Sequence, residues 1–365
     1  MNILILGVGN AQLDAIKYLK DRGHTVHALS YKREGPGISY ADKFTLIDIR
    51  DHDSINKYSA ENGIGLIYSV GSDLAMPSVA QVSNDLGLPV FFKKATVDIF
   101  IYKLNFRKFL KSEQIEIPEF MPAETKASLK KWDKYPAVVK PVDSQGQRGV
   151  SMVKDTTMLE EAFDNAAKYS DTGSIMIESY IRGKELSANV FMDNGELKYC
   201  IITNRKSPGT DYFGHVKCHT LPGDINKDDR LFLKNLVKNI CLKAGLLNGP
   251  AYFQLKKERN RLVVIEAAPR LDGCHLWRLI KYGTGIDLLD LTFKKLMGES
   301  IDYQPARDTI YPMTLEYSLH KPGTVYQESS PETKKEILFS REYYKKGEKI
   351  RPINGILEKT GYYIY

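Results

Sequence analysis

The sequence predicts an α/β protein in three parts: a Rossmann-like amino-terminal domain at 1–97, a larger domain at 98–300 carrying a mobile lid at about 122–182, and a small β-rich region at 301–365. Three observations predict it. Short apolar runs alternate with helical patterns from Asn2 to Phe92, as in a doubly wound sheet. The stretch AVVKPVDSQGQRGVSMV, Ala137 to Val153, reads as strand, glycine loop and strand. The stretch AYFQLKKERNRLVVIEAAPR, Ala251 to Arg270, reads as a hairpin.

Taken in order, NILIL at residues 2 to 6 is a buried strand, followed by Gly7-Val8-Gly9-Asn10 and a helix with Leu13, Ile16 and Leu19 on one face, closed by Gly23. Thr25 to Leu29 is the next strand. A dinucleotide fingerprint would need a third glycine where Gln12 stands and an acid where Ser30, Tyr31 and Lys32 stand, which argues against NAD. Phe44 to Ile47, Gly65 to Val70 and Leu88 to Phe92 continue as strands, with Gly71-Ser72-Asp73 opening a helix. From Asp98 the pattern changes. Phe106, Phe109 and Leu110 mark an amphipathic helix that carries Lys103 and Arg107. A small sheet-and-helix module holds the glycine loop, with a helix around Leu159 to Tyr169. Strands at Glu185 to Met192 and Leu197 to Asn204, a helix from Asp228 to Ala244, and the hairpin follow, and then strands and turns marked by Gly347, Pro352 and Gly355.

Composition narrows the function. At 365 residues, with 42% hydrophobic and 27% charged, the chain is an ordinary globular protein. No apolar run approaches the roughly 18 residues of a membrane span. Met1 leads straight into a strand, so a cytoplasmic protein without membrane partners is expected. Cys200, Cys218, Cys241 and Cys274 lack CxxC spacing and are expected as reduced thiols. The net charge of +7 is scattered over doublets such as Lys93-Lys94 and Lys130-Lys131, a solvated surface without a nucleic-acid partner.

Three segments carry chemistry. Lys140 closes a buried strand beside a loop containing Gly146 and Gly149, and glycines let backbone N–H groups approach an anion closely. Phosphate fits such a cradle. The loop returns to a strand, unlike a Walker P-loop, and no HRD or DFG tripeptide supports a protein kinase. Lys140→Ala is therefore expected to weaken nucleotide binding and leave the fold intact. In IMIESYIRGKELS, Ile175 to Ser187, a strand ends at Glu178 and a further acid, Glu185, follows a turn at Gly183. A strand exit offers a carbonyl and an N–H to adenine, and an acid can accept ribose hydroxyls; an edge strand with a solvent-facing acid is the alternative. In the hairpin, a turn centred on Asn260 sets Gln254 opposite Glu266, with Ala268 and Arg270 further along the same face. An amide oxygen beside a carboxylate suits Mg²⁺, and an arginine there can hold a phosphoryl group. His215, Cys218 and His219 lack a second ligand pair for zinc, so substrate contact is the better reading.

These segments, in this order, resemble the ATP-grasp ligases from about Asp98 to Glu299, in the branch with biotin carboxylase, carbamoyl-phosphate synthetase and the L-amino-acid ligases. The resemblance implies a pre-ATP-grasp domain, an ATP-grasp fold and a small closing β-domain. It places Lys103 and Lys140 on the α- and β-phosphates, with Ser144, Gln145, Gly146 and Gly149 in a mobile phosphate loop. Glu178 with the backbone of Ser179 and Ile181 falls on adenine, and Glu185 on ribose. Gln254 and Glu266 become metal ligands for Mg²⁺, or Mn²⁺, and Arg270 meets the reacting phosphate or carboxylate. Arg205, His275, Trp277 and Arg278 fall in the acceptor pocket. The family usually reads Glu-x-Asn-x-Arg where this chain has Glu266-Ala267-Ala268-Pro269-Arg270, and many members carry an acid in place of Gln254, so one or two metal ions stay open. The implied activity is ATP-dependent joining of a small carboxylate to an amine or thiol through an acyl phosphate, with a homodimer admitted. A carbamoyl-phosphate-synthetase-like kinase and a non-catalytic nucleotide-binding regulator are the alternatives.

Overall fold

The computed structural model describes residues 1–209, 212–303, 310–328, 331, 333–353 and 356–365; Gly355 lies outside them. The amino-terminal part runs β1 (Asn2–Leu6), α1 (Asn10–Asp21), β2 (Thr25–Ser30), β3 (Lys43–Leu46), α2 (His52–Glu61), β4 (Ile64–Tyr68) and α3 (Met76–Asp85). Its strands form a parallel sheet of order β3-β2-β1-β4, and β1 is buried from Ile3 to Leu6 because helices cover both faces. The apolar stretch Leu88 to Phe92 is not a fifth strand. Pro89 has no N–H for a ladder, and Phe91 and Phe92 are buried as packing groups, Phe91 lying against Gly249.

Two helices, α4 (Lys94–Ile101) and α5 (Lys103–Ser112), lead into a small module. It comprises β5 (Phe120–Ala123), α6 (Lys126–Leu129), β6 (Ala137–Pro141), β7 (Ser151–Val153), α7 (Leu159–Ala167) and β8 (Ile175–Ser179). Its antiparallel sheet has the order β5-β8-β6-β7, and its core of Leu129, Trp132, Val139, Phe163 and Ile177 is separate from the main one.

The remaining elements are β9 (Lys184–Asp193), β10 (Glu196–Lys206), β11 (Cys218–Leu221), α8 (Lys227–Lys243), β12 (Gly249–Glu258), β13 (Arg261–Ala268), α9 (Leu276–Thr284), α10 (Leu288–Leu296), β14 (Met313–His320), β15 (Phe339–Glu342) and β16 (Glu358–Ile364). Their strands make one eight-stranded sheet of order β13-β12-β9-β10-β11-β14-β16-β15. The carboxy-terminal strands thus extend this sheet, with β14 pairing to β11. Among the described residues no helix is long and apolar enough to cross a membrane.

Candidate active site

Alternation along the strands builds one polar face on the large sheet. Because side chains repeat with period two, register alone aligns Lys256, Glu185, Arg205 and His219 in one cross-strand row and Glu266, Gln254, Ser187 and Thr203 in the next. The hairpin turn is Arg259-Asn260, closed by Glu258 opposite Arg261, so a turn centred on Asn260 is corrected by half a residue. A bulge then leaves Ile265 unpaired and restores Gln254 opposite Glu266.

Opposite this face sits the small module, and between them lies a buried charge cluster. Glu178 on β8 accepts from Arg107 Nε and from Lys140 Nζ, each at 2.5 Å and each on its own oxygen, with side-chain exposures of 4%, 1% and 7%. Arg107 extends from α5 and also donates to the Ile265 carbonyl at 2.6 Å, the group freed by the bulge. Burial opposes ionisation of Glu178, but Arg107 and Lys140 outweigh it and hold the carboxyl below its ordinary range. Burial draws the Lys140 ammonium below its ordinary value, because the Glu178 charge that supports it is shared with Arg107. Two buried cations on one carboxylate leave a surplus positive charge.

The glycine loop lies beside this cluster. Gly146 and Gly149 have φ of 72° and 70°, and a Cβ on Gly149 would stand 3.1 Å from the Ala166 Cα. Lys103, at the start of α5, donates to the Ser144 carbonyl. Gln145 accepts the backbone N–H of Asp73 at 2.9 Å, and Gln147 touches Gly214, so the loop rests on both flanking domains. At the strand exit the N–H groups of Ser179 and Tyr180 donate to the carbonyls of Glu119 and Pro136. The Ile181 amide makes no such backbone bond among the described residues, and the Ile181 side chain forms a buried wall.

Glu185 pairs with Arg205, and with Lys256 at 3.4 Å. Burial resists its charge, yet Arg205 and Lys256 keep its carboxyl low. Gln254 donates to Glu185 at 3.4 Å, which turns its carbonyl oxygen away from that acid. Glu266 makes no ion pair among the described residues, although Arg270 and Arg205 both feel its charge. A half-buried carboxylate without a cation, paired across strands with a free amide oxygen, fits one hard divalent ion better than two. Among the described residues no group of three His, Cys, Asp or Glu side chains could hold a metal, and Cys218 and His219 alternate to opposite faces of β11.

The other arginines are tied down. Arg270 bonds Asp73 at 2.6 and 2.7 Å, joining the end of β13 to the amino-terminal domain. Sequence reasoning assigned no role to Asp73, although Gly71-Ser72-Asp73 stood out as a helix start. His275 and Arg278 lie at the carboxy-terminal end of the polar face, against Tyr362 and away from the hairpin. Both reach Asp14 on α1 at 2.9 Å, where Arg341 joins them at 2.5 Å. His275 uses its other nitrogen on the Tyr343 hydroxyl at 3.0 Å and stacks on Tyr362 at 4.6 Å. Trp277 is buried beside it at 5.2 Å. No sequence signal marked Asp14, which sits inside an amphipathic helix.

A two-part sheet architecture with a glycine loop and an oxygen-bearing hairpin defines a class, and comparison agrees. Residues 133–276 match the family model described as the ATP-grasp domain. The chain thus contains a stretch that matches the ATP-grasp domain, and the proteins it is similar to include ligases. It is 24% identical over 307 residues to a formate-dependent phosphoribosylglycinamide formyltransferase of Prochlorococcus marinus, covering 81% of this chain and 75% of that one. Among solved structures it is similar to an L-amino acid ligase from Bacillus licheniformis, with a TM-score of 0.81 at 21% identity, covering all (100%) of this chain and 92% of that one. It is also similar to the biotin carboxylase domain dimer of Hydrogenobacter thermophilus 2-oxoglutarate carboxylase, solved with MgADP, ADP and bicarbonate, with a TM-score of 0.77 at 16% identity over 100% of this chain and 85% of that one.

Proposed function

We propose that this chain is a cytoplasmic, ATP-dependent ligase that joins a small carboxylate to an amine or thiol through an acyl phosphate. The observation that carries the reading is the Arg107–Glu178–Lys140 cluster: a surplus buried positive charge directly beside a glycine loop is relieved by an anion. Lys140 and Lys103 would then bind the nucleotide phosphates, with Ser144, Gln145, Gly146 and Gly149 closing over them. The Ile181 amide and the Ser179–Tyr180 backbone would border adenine, and Glu185 would face ribose. Gln254 and Glu266 would hold Mg²⁺, or Mn²⁺, which supplies charge neutralisation at phosphate oxygens.

In this reading the γ-phosphoryl group passes from ATP to a carboxylate oxygen as its bond to ADP breaks. The amine nitrogen attacks the acyl carbon, phosphate leaves with the bonding pair, and the nitrogen gives up a proton. The protein contributes placement and charge more than covalent chemistry. Arg270, near enough to feel the charge of Glu266, flanks the same opening. The loop, closed on Asp73 and Gly214, would exclude water from the acyl phosphate. The likeness to an L-amino acid ligase favours an amine acceptor. A phosphate-release screen over paired acids and amines, with hydroxylamine to trap the acyl phosphate, tests this. ADP formation with no trapped hydroxamate and no acceptor dependence would refute a ligase.

A further inference from the structure

The basic groups around the cleft are almost all matched to acids. Arg107 and Lys140 share Glu178, Arg205 and Lys256 share Glu185, Arg270 has Asp73, and Arg278 and Arg341 share Asp14. Two ammonium groups there have no carboxylate among the described residues. Lys103 is one, with only the Ser144 carbonyl, at the nucleotide end. Lys359 is the other, at the opposite end. Its Nζ stands 3.1 Å from Cys274 Sγ and 4.0 Å from the centre of the Tyr317 ring.

A register slip brings Lys359 there. In β16, Tyr362 faces Tyr317 and Gly361 faces Ser318, so strict alternation would turn Lys359 to the far side. The shift between Ser318 and Leu319 sets Lys359 opposite Leu319 instead, on the face of Tyr317 and therefore of His219. His219 is fully buried, and its Nε2 has no partner among the described residues while Nδ1 lies 3.5 Å from the Thr203 hydroxyl, so Nε2 is the nitrogen left for a ligand. His219 stands in one cross-strand row with Arg205, Glu185 and Lys256, which makes this end continuous with the hairpin face.

We infer that Lys359, with His219 and Cys274 beside it, receives an anionic group, carboxylate or phosphate, carried by a substrate other than ATP. The inference rests on the ligase reading and narrows it: one of the two joined molecules bears a negative charge that is not consumed in the reaction. An isolated, partly buried ammonium against a thiol and a ring face is a poor resting partner for itself, and an anion with an orphan imidazole nitrogen in reach is a good one.

Calorimetry with inorganic phosphate and with succinate tests it on the whole chain, in chloride at matched ionic strength, for the wild type and for Lys359→Gln. Binding by the wild type and its loss in Lys359→Gln is the expected result; phosphate alone identifies a phosphorylated substrate, succinate alone a carboxylated one. Alkylation of Cys274 by iodoacetamide, read by peptide mass spectrometry, locates the site. Bound anion should slow it roughly fivefold at about four times Kd by mass action, while Cys218 stays unaffected. ATP affinity should be the same in both proteins. Failure of the wild type to bind ATP would refute the ligase reading. Intact ATP binding with no anion binding, or with anion binding indifferent to Lys359→Gln, would overturn this inference alone.

Discussion

Glu178→Gln keeps the shape of the side chain and removes the one anion shared by Arg107 and Lys140. Each cation sits 2.5 Å from a separate carboxylate oxygen, so the substitution leaves two buried positive groups facing an amide. Stripping a buried pair of one partner costs about 3–5 kcal/mol. Lys140→Met removes a cation but leaves the carboxylate bonded to Arg107, so it costs one charge-assisted hydrogen bond, about 1.5–3 kcal/mol. Lys140 is therefore not a group whose loss leaves stability untouched, as its position beside a loop alone would suggest. The predicted order is Glu178→Gln below Lys140→Met below wild type, and the double variant should be less destabilised than the sum. Urea unfolding followed by Trp132 fluorescence reads the small module directly, in a Trp277→Phe background, because Trp132 belongs to that module's core. A Glu178→Gln protein within about 0.5 kcal/mol of wild type, the range of an ordinary surface change, would refute the reasoning.

Gln145→Ala removes the acceptor of the Asp73 N–H; losing about 1 kcal/mol should speed hydrogen exchange at Asp73 roughly fivefold, and an unchanged rate would mean the loop is not closed in solution. Asp14→Asn leaves Arg278 and Arg341 without their shared acid, so exchange should rise in α9 and β15 together, with a loss of roughly 2–4 kcal/mol. Asp272 is pushed up to about 7 by burial, above its unfolded value of about 3.9. Between those values the folded form keeps a proton that the unfolded form has lost, so stability should fall as pH rises, by at most about 1.4 kcal/mol per unit, and Asp272→Asn should flatten that fall. Glu266→Ala should abolish turnover in the ligase reading, whereas Gln254→Ala should raise the magnesium needed for half-maximal phosphate release; a magnesium titration indifferent to Glu266 would move the metal elsewhere.

Local patterns carried much of the architecture. NILIL and its glycine turn announce β1 and α1 because a buried parallel strand must be apolar along its whole length. The pairing of Gln254 with Glu266 was legible because hairpin register follows from turn position, although the turn and the Ile265 bulge each displaced it by compensating amounts. Leu88 to Phe92 was not legible, since a short apolar run reads the same whether it joins a ladder or only packs.

The charge pairing was out of reach for a different reason. Asp14 meets Arg341, and Asp73 meets Arg270, across separations along the chain that no spacing encodes. Lys359 is the sharper case. Its neighbours in sequence place it in an ordinary alternating strand, and only an extra, unpaired residue in that same strand, Thr360, turns it inward. A single displaced residue thus decides whether this lysine is one more solvated charge or the unmatched cation at the far end of the cleft. Deleting Thr360 removes that extra residue yet leaves Lys359 beside Gly361 and opposite Leu319, on the inner face, so anion binding should survive the deletion; its loss from a folded protein would refute this account of the register.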